Sequence, residues 1–411
     1  MSFLWGLTGV IVILGLAYLM SSDRKNIRLR TVLGALGIQV LFAYLALKSS
    51  VGRQVMQWIS DAFQQVVKYA NEGIVFLFGS LVAGEESIFA LEVLTIIIFF
   101  SSLISVLYYL GVMQWFVDIV GGGLSKLLNT TKTESLSAAA NIFLGHTEAP
   151  LIIKPYIKSM SDSEVFAVMV GGMGSVAGSV LVGYSLMGIP LEYLLAASFM
   201  SAPASLLMAK IVMPLPEEVM KQQLSGELDA EIDKEALEGD APVNIIDAAS
   251  SGAATGLKMA LNVAAMLLAF VSLVAMLNGF LEFIGGFFGW ENANLEGILG
   301  ILLTPIAFLI GVPWEEAIQA AGFIGEKLVI NEFYAFANVG AAMDQLSDKT
   351  IMILSFGLAG FANIGAVAAQ IGGIGALAPN KKNFIAQTGI KAMVVGAMVS
   401  LLNAAIAGMF F

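Results

Sequence analysis

The chain has 411 residues, of which 58% are apolar and only 12% charged, with 31 acidic against 20 basic side chains. An average soluble domain is nearer half apolar and about a quarter charged. There is no cysteine and one histidine, His146, so disulfides, thiolate metal sites and any centre needing two imidazoles are excluded. No basic patch supports binding to nucleic acid.

Runs without charge decide the class. Phe3–Met20 and Val93–Val117 carry no charged side chain, and Phe384–Phe411 carries only Lys391. A span needs roughly 20 mostly apolar residues to cross about 30 Å of hydrocarbon. The chain therefore reads as a multi-pass protein of the lipid bilayer.

In chain order, Phe3–Met20 and Thr31–Leu47 are two spans joined by a loop bearing Arg24, Lys25, Arg28 and Arg30. No basic residues precede the first run, so it reads as a retained span and not a cleaved signal. Basic loops stay cytoplasmic, which puts the N-terminus outside. In Gln54–Asn71, Val55, Trp58, Ile59, Phe63, Val66 and Val67 recur at helical spacing among polar residues. That pattern predicts an interfacial amphipathic helix or one packed on the bundle.

Ile88–Ile119 reads as one long third span ended by Gly121–Gly123, with Leu124–Leu136 as a second short surface helix. Ser137–Pro150 is too short and polar to cross, interrupted by Asn141, His146, Thr147 and Glu148. Glu164–Tyr184 is a fourth span broken by Gly171, Gly172, Gly174, Ser175, Gly178 and Ser179, and Leu191–Val212 is a fifth. The acid-rich run from Glu217 to Asp240 reads as a solvated connector extended by its own like charges. Ala254–Trp290 is a sixth span. Gly297–Ile310 and Glu326–Phe336 are short segments joined through Pro313 and Trp314. Ile351–Leu377 is a seventh span, broken around Gly360, Asn363 and Gly365. Lys381 and Lys382 mark a cytoplasmic loop before the eighth, Phe384–Phe411, which returns the C-terminus to the outside.

One pattern occurs twice. A short polar hairpin with a carboxylate, Glu148 or Glu332, precedes a helix broken by small residues, Gly174–Ser179 or Gly360–Ala366. With three spans between them, the two hairpins enter from opposite faces. The expected fold is thus an all-α polytopic membrane protein with about eight transmembrane helices, two re-entrant hairpins in an inverted repeat, and interfacial amphipathic helices. Non-helical backbone survives in hydrocarbon only inside protein or beside a water-lined cavity. Free half-helix ends supply partial charges for ions and polar solutes, and intramembrane acids are costly enough to imply function. These features point to a secondary transporter. A channel lined by the same breaks, or an intramembrane hydrolase built on Glu148 and Glu332, are the alternatives from other classes.

Four separated motifs then resemble the concentrative nucleoside transporter family, bacterial members included. They are Ala140 to Pro150 (ANIFLGHTEAP), Gly174 to Val180 (GSVAGSV), Asn331-Glu332-Phe333, and Gly360-Phe361-Ala362-Asn363. Leu107 to Trp115 and Gly311 to Trp314 extend the likeness along the chain. The resemblance implies a homotrimer in the bacterial inner membrane that carries nucleosides by an elevator-type, sodium-coupled motion. It implies scaffold helices in 1–119, a first transport repeat in 120–215, an acidic cytoplasmic connector in 216–243, a long scaffold helix in 244–292 and a second transport repeat in 293–411. Asn141 and Ser175 would give side-chain oxygens to sodium, and Leu144 and Val176 their carbonyls; oxygen-only ligation suits a hard cation. Thr147, Glu148 and Val180 would contact the base, Glu332 and Asn363 the ribose, and Phe361 would gate the site.

Two residues depart from the family pattern. His146 stands where a base-contacting glutamine is usual, and Ala366 where a serine helps hold ribose. An imidazole at that position keeps proton coupling as an alternative to sodium.

Overall fold

The computed structural model describes residues 2–82, 88–219, 242–289 and 293–411, and these are helical with no strand among them. The helices are α1 (Ser2–Leu19), α2 (Leu29–Leu47), α3 (Ser50–Phe78), α4 (Phe89–Tyr109), α5 (Val112–Leu128), α6 (Lys132–Ala140), α7 (Ala149–Ile152), α8 (Asp162–Met173) and α9 (Gly178–Leu186). They continue as α10 (Leu191–Val212), α11 (Ile245–Phe287), α12 (Leu295–Leu309), α13 (Trp314–Val329), α14 (Glu332–Ala341), α15 (Asp348–Leu358), α16 (Ile364–Leu377) and α17 (Lys382–Met409). Most of the acidic connector, 220–241, lies outside the described residues.

Among the described residues six helical stretches are long and apolar enough to cross a bilayer, or seven if α12 and α13, bent by 116°, count as one. Two more apolar helices, Phe3–Leu19 and α16, are shorter. Both expected breaks are present: α8 gives way to α9 across Gly174–Ala177, and α15 to α16 across Ala359–Asn363.

Three expected segments are corrected. The stretch Ile88–Ile119 is two helices, because Gly111 at φ +77° turns the chain between α4 and α5. Gly121–Gly123 lies inside α5, which ends at Asn129 in the left-handed conformation, so Leu124–Leu136 is not a surface helix. Its second half belongs to α6, set by a capping box between Thr131 and Glu134 and buried from Glu134 to Ala140. Glu326–Phe336 is likewise divided: Asn331 accepts a hydrogen bond from the Tyr334 amide at 2.9 Å and starts α14 afresh.

The expected amphipathic helix is real and longer, spanning Ser50–Phe78. The core lies elsewhere. Along the broken helix α8–α9 every residue of the apolar window is buried, and along α10 94% are, against 11% in α11. At 43 residues α11 is about 65 Å long. Among the described residues it packs most closely on α4, where Cβ atoms on Gly252 and Gly256 would fall 2.5 Å from Ser105 Cβ and 2.7 Å from Ile98 Cα. Small residues there let the two backbones approach.

One face of the molecule collects the basic loops. Ser22 N–H donates to Val212 O at 2.9 Å, Ser163 Oγ to Met213 O at 2.7 Å, and Lys381 Nζ pairs with Asp162 at 2.7 Å. The start of α8, the end of α10, and the loops before α2 and α17 therefore share that face. Just inside it, buried Lys210 pairs with Glu134 at 2.5 Å and donates to Ser163 Oγ at 2.9 Å.

Candidate functional site

The two breaks meet. Phe361 N–H donates to Ser175 O at 3.1 Å, so each unwound segment satisfies part of the other. The first hairpin joins them through Gly178 N–H, which donates to Phe143 O at 2.8 Å. Backbone groups stripped of helical partners are costly in a dry interior, and these cross-bonds are how this fold affords its broken helices.

Beside this junction is a cavity of about 290 Å³. All eight expected substrate residues line it: His146, Thr147, Glu148, Val180, Glu332, Phe361, Asn363 and Ala366. Three helix starts converge there. Val180 lies in the first turn of α9, Glu332 opens α14 behind its cap Asn331, and Asn363 caps α16 by accepting from Ala366 N–H at 2.8 Å. Helix N-termini carry partial positive charge, which suits carboxylates and polar oxygens.

Glu332 is held from two sides. Tyr184 Oη donates to Oε1 at 3.1 Å and Asn363 Nδ2 to Oε2 at 3.3 Å, leaving carboxylate lone pairs toward the cavity. Glu148 is pinned by Gly145 N–H at 3.3 Å. The His146 ring lies edge-on to Phe361 with centroids 4.9 Å apart, and both ring nitrogens are buried with no hydrogen-bond partner among the described residues. His146 also lies close against α8, where a Cβ at Gly172 would sit 2.6 Å from His146 Cβ and 3.0 Å from its Cα.

The expected sodium residues lie behind the cavity at the first break. Asn141 Nδ2 donates to Ser137 O at 3.0 Å, and its Oδ1 is buried without a partner among the described residues. Ser175 Oγ donates to Gly171 O at 2.7 Å, keeping its lone pairs, while a Cβ at Gly171 would come 3.1 Å from Asn141 Nδ2. Both side chains thus converge on one carbonyl end of α8. A neutral, oxygen-only donor set with an orphaned buried oxygen fits a hard monovalent cation. Leu144 and Val176 flank the same turn-and-break pair, Val176 fully buried.

Sequence reasoning missed the far wall. Thr255, Lys258, Met259, Asn262 and Met266 of α11 face the cavity. The signal was legible, since Thr255, Lys258 and Asn262 recur at helical spacing on a largely apolar helix. Tyr184, the donor to Glu332, and Lys327, fully buried below it, were also missed. A second cavity of about 670 Å³, lined by Tyr108, Leu144 and Ser179, shares Glu148 and Thr255 with the first and extends to Pro242 at the end of the connector.

This arrangement, two interlocked helix breaks under a cavity holding two acids, has counterparts of known kind. Residues 8–81 match the profile of the Na+ dependent nucleoside transporter N-terminus, 193–408 that of its C-terminus, and 90–191 a nucleoside-recognition "Gate" profile. An uncharacterized transporter of Bacillus subtilis is 51% identical over the full length of both chains. A nucleoside permease of Helicobacter pylori is 48% identical over all of this chain and 98% of its own. The structure of the transporter CNTnw in an inward-facing, substrate-bound state superposes with a TM-score of 0.92 at 48% identity, covering 100% of this chain and 98% of that one. With profiles and relatives agreeing from end to end, the chain belongs to the Na+ dependent nucleoside transporter family, a family of membrane transporters and not of enzymes.

Proposed function

We propose that this protein is a sodium-coupled symporter that concentrates nucleosides across the bacterial inner membrane as a homotrimer, by an elevator-type movement of its two interlocked repeats. The observation that carries the reading is the junction of the breaks. One side presents the carbonyl end of α8 with the orphaned Asn141 Oδ1; the other presents three helix starts with Glu148 and Glu332.

In this reading Asn141, Ser175 and the carbonyls of Leu144 and Val176 hold sodium. The ion neutralises the carbonyl end of the half-helix and fixes the hairpin against the break. That in turn positions His146, Thr147 and Glu148 for the base. Glu332, oriented by Tyr184 and Asn363, accepts from ribose hydroxyls. The basic loops around Arg24–Arg30 and Lys381 face the cytoplasm, with both termini outside.

The test is uptake of purine and pyrimidine nucleosides into proteoliposomes, with and without an inward sodium gradient. Saturable accumulation driven by sodium is expected. Non-saturating flux would favour a channel, and accumulation driven equally by a proton gradient without sodium would favour proton coupling.

A further inference from the structure

Two triads stand at equivalent places in the two repeats. At the first break Asn141 lies against Gly171, near the end of the half-helix α8, and Ser205 of α10 completes the group, its Oγ 3.8 Å from a Cβ at Gly171. At the second, Lys327 near the end of α13 lies against Gly357, near the end of the half-helix α15, and Ser400 of α17 completes the group. The serines even share a local bond: Ser205 Oγ donates to Ala202 O at 3.0 Å, and Ser400 Oγ to Ala397 O at 3.0 Å. Each triad is one polar side chain from just before the cavity acid, one glycine at a carbonyl end, and one serine from the helix after the break. They differ in what the polar side chain carries.

Lys327 is 1% exposed. Its Nζ donates to Gly357 O at 3.0 Å and to Ser400 Oγ at 2.6 Å, and a Cβ at Gly360 would lie 3.4 Å from it. Those partners are neutral oxygens. A buried ammonium is costly unless paired and hydrogen-bonded. The carbonyl end of a half-helix, with its partial negative charge, is a place that tolerates one. At the first break the same kind of place faces an amide with a free buried oxygen.

We infer that the Lys327 ammonium is a tethered cation occupying, at the second break, the position that a sodium ion takes at the first. It satisfies the carbonyl end of α15 permanently and excludes a second sodium by occupying its oxygens and by like-charge repulsion. Each protomer then carries a single exchangeable cation, at Asn141, and a fixed one beside Glu332. The inference rests on the reading of Asn141 and Ser175 as sodium ligands.

Radioactive sodium bound per protomer, measured on the purified full chain at saturating nucleoside, tests it together with the sodium dependence of uptake. The parent is expected to bind one sodium. In Lys327→Met the second set of oxygens is released, so binding should rise to two and the Hill coefficient for sodium from about one toward two, the ceiling being the number of sites. Lys327→Arg, which keeps the charge, should retain one. So should Ser400→Ala, which keeps Lys327 in place and serves if Lys327→Met does not fold. Two sodium ions in the parent, a second sodium in Ser400→Ala, or a monodisperse Lys327→Met that still binds one with a Hill coefficient near one would overturn the inference. A parent that binds nucleoside but no sodium would instead overturn the reading of Asn141, and the tethered cation with it.

Discussion

The cavity has two unlike walls. One is made by the breaks and hairpins, where the apolar window of α8–α9 is buried throughout and Glu332 and the start of α16 are held by hydrogen bonds from their neighbours. The other is α11, whose apolar window is 11% buried and which is anchored to α4 by Gly252 and Gly256. The first wall has acids, helix starts and carbonyl ends, the features that discriminate charge. The second offers Thr255, Lys258 and Asn262 along one face of a long apolar rod. On the proposed reading, recognition and coupling belong to the broken wall, and the rod would supply a surface along which that wall moves. Substitutions on the two walls should therefore differ in size.

The largest effect is expected at Asn141. Removing an oxygen ligand from a desolvated cation forfeits a bond of the charge-assisted kind, about 1.5–3 kcal/mol, or roughly ten- to a hundredfold in sodium affinity. In Asn141→Ala sodium-driven accumulation should collapse while facilitated exchange of nucleoside persists. Unchanged sodium dependence in that variant would remove coupling from the broken wall altogether.

Glu332→Gln follows. The carboxylate accepts from Tyr184 and Asn363, and the amide must turn its NH₂ toward one of these donors. Nucleoside binding should weaken by roughly ten- to a hundredfold, on the same range for bonds to a charged acceptor. Calorimetry in saturating sodium measures it, and free nucleobases, which lack ribose, should bind weakly to parent and variant alike. A free base that binds the parent as tightly as its nucleoside would show that Glu332 does not define the substrate.

How much of this contrast is legible in the sequence follows from what each wall is made of. The breaks show as clusters of Gly, Ser and Asn inside apolar runs, and Leu191–Val212 emerges with the limits predicted from hydropathy. Seven of the eight expected substrate residues lie in motifs that the fold brings together, and Ala366 follows the last of these by three positions. Hydropathy fails where a turn interrupts a run without changing its polarity, as at Gly111, where only the left-handed backbone separates α4 from α5. It fails again at Asn331, whose capping of α14 is local chemistry that hydropathy does not register. The α11 wall was missed for the opposite reason: its apolar length dominates, and three polar residues on one face do not lower it much. Lys327 is invisible as a partner because Gly357 and Ser400 lie far along the chain.

A smaller effect is expected on the rod. Asn262 faces the cavity from α11, and a neutral side chain there can add a modest hydrogen bond, about 0.5–1.5 kcal/mol. Asn262→Ala should raise the nucleoside KM by roughly two- to tenfold on that range, with sodium dependence unchanged. A loss of sodium coupling in this variant would break the division between the walls.

The smallest effect is expected where the broken wall departs from its family pattern, and there it divides by residue. Ala366 lies in the first turn of α16, its amide already capped by Asn363, so a hydroxyl added there projects from a helix start at the cavity. Ala366→Ser should tighten nucleosides by about 0.5–1.5 kcal/mol, one neutral hydrogen bond, whatever their base. His146→Gln exchanges one gain for one loss. The amide offers a donor and an acceptor side by side, where a neutral imidazole sets them on opposite ring edges. The exchange also removes the edge-on contact with Phe361, the kind of ring pair worth about 0.5–1.5 kcal/mol. These terms are of one size and opposite sign, so mean affinity should barely move while the order of preference among bases changes. Calorimetry on both single variants, across a purine and pyrimidine panel, separates the two effects. Base-dependent gains from Ala366→Ser, or an unaltered rank order in His146→Gln, would place base discrimination elsewhere, at Thr147 and Glu148.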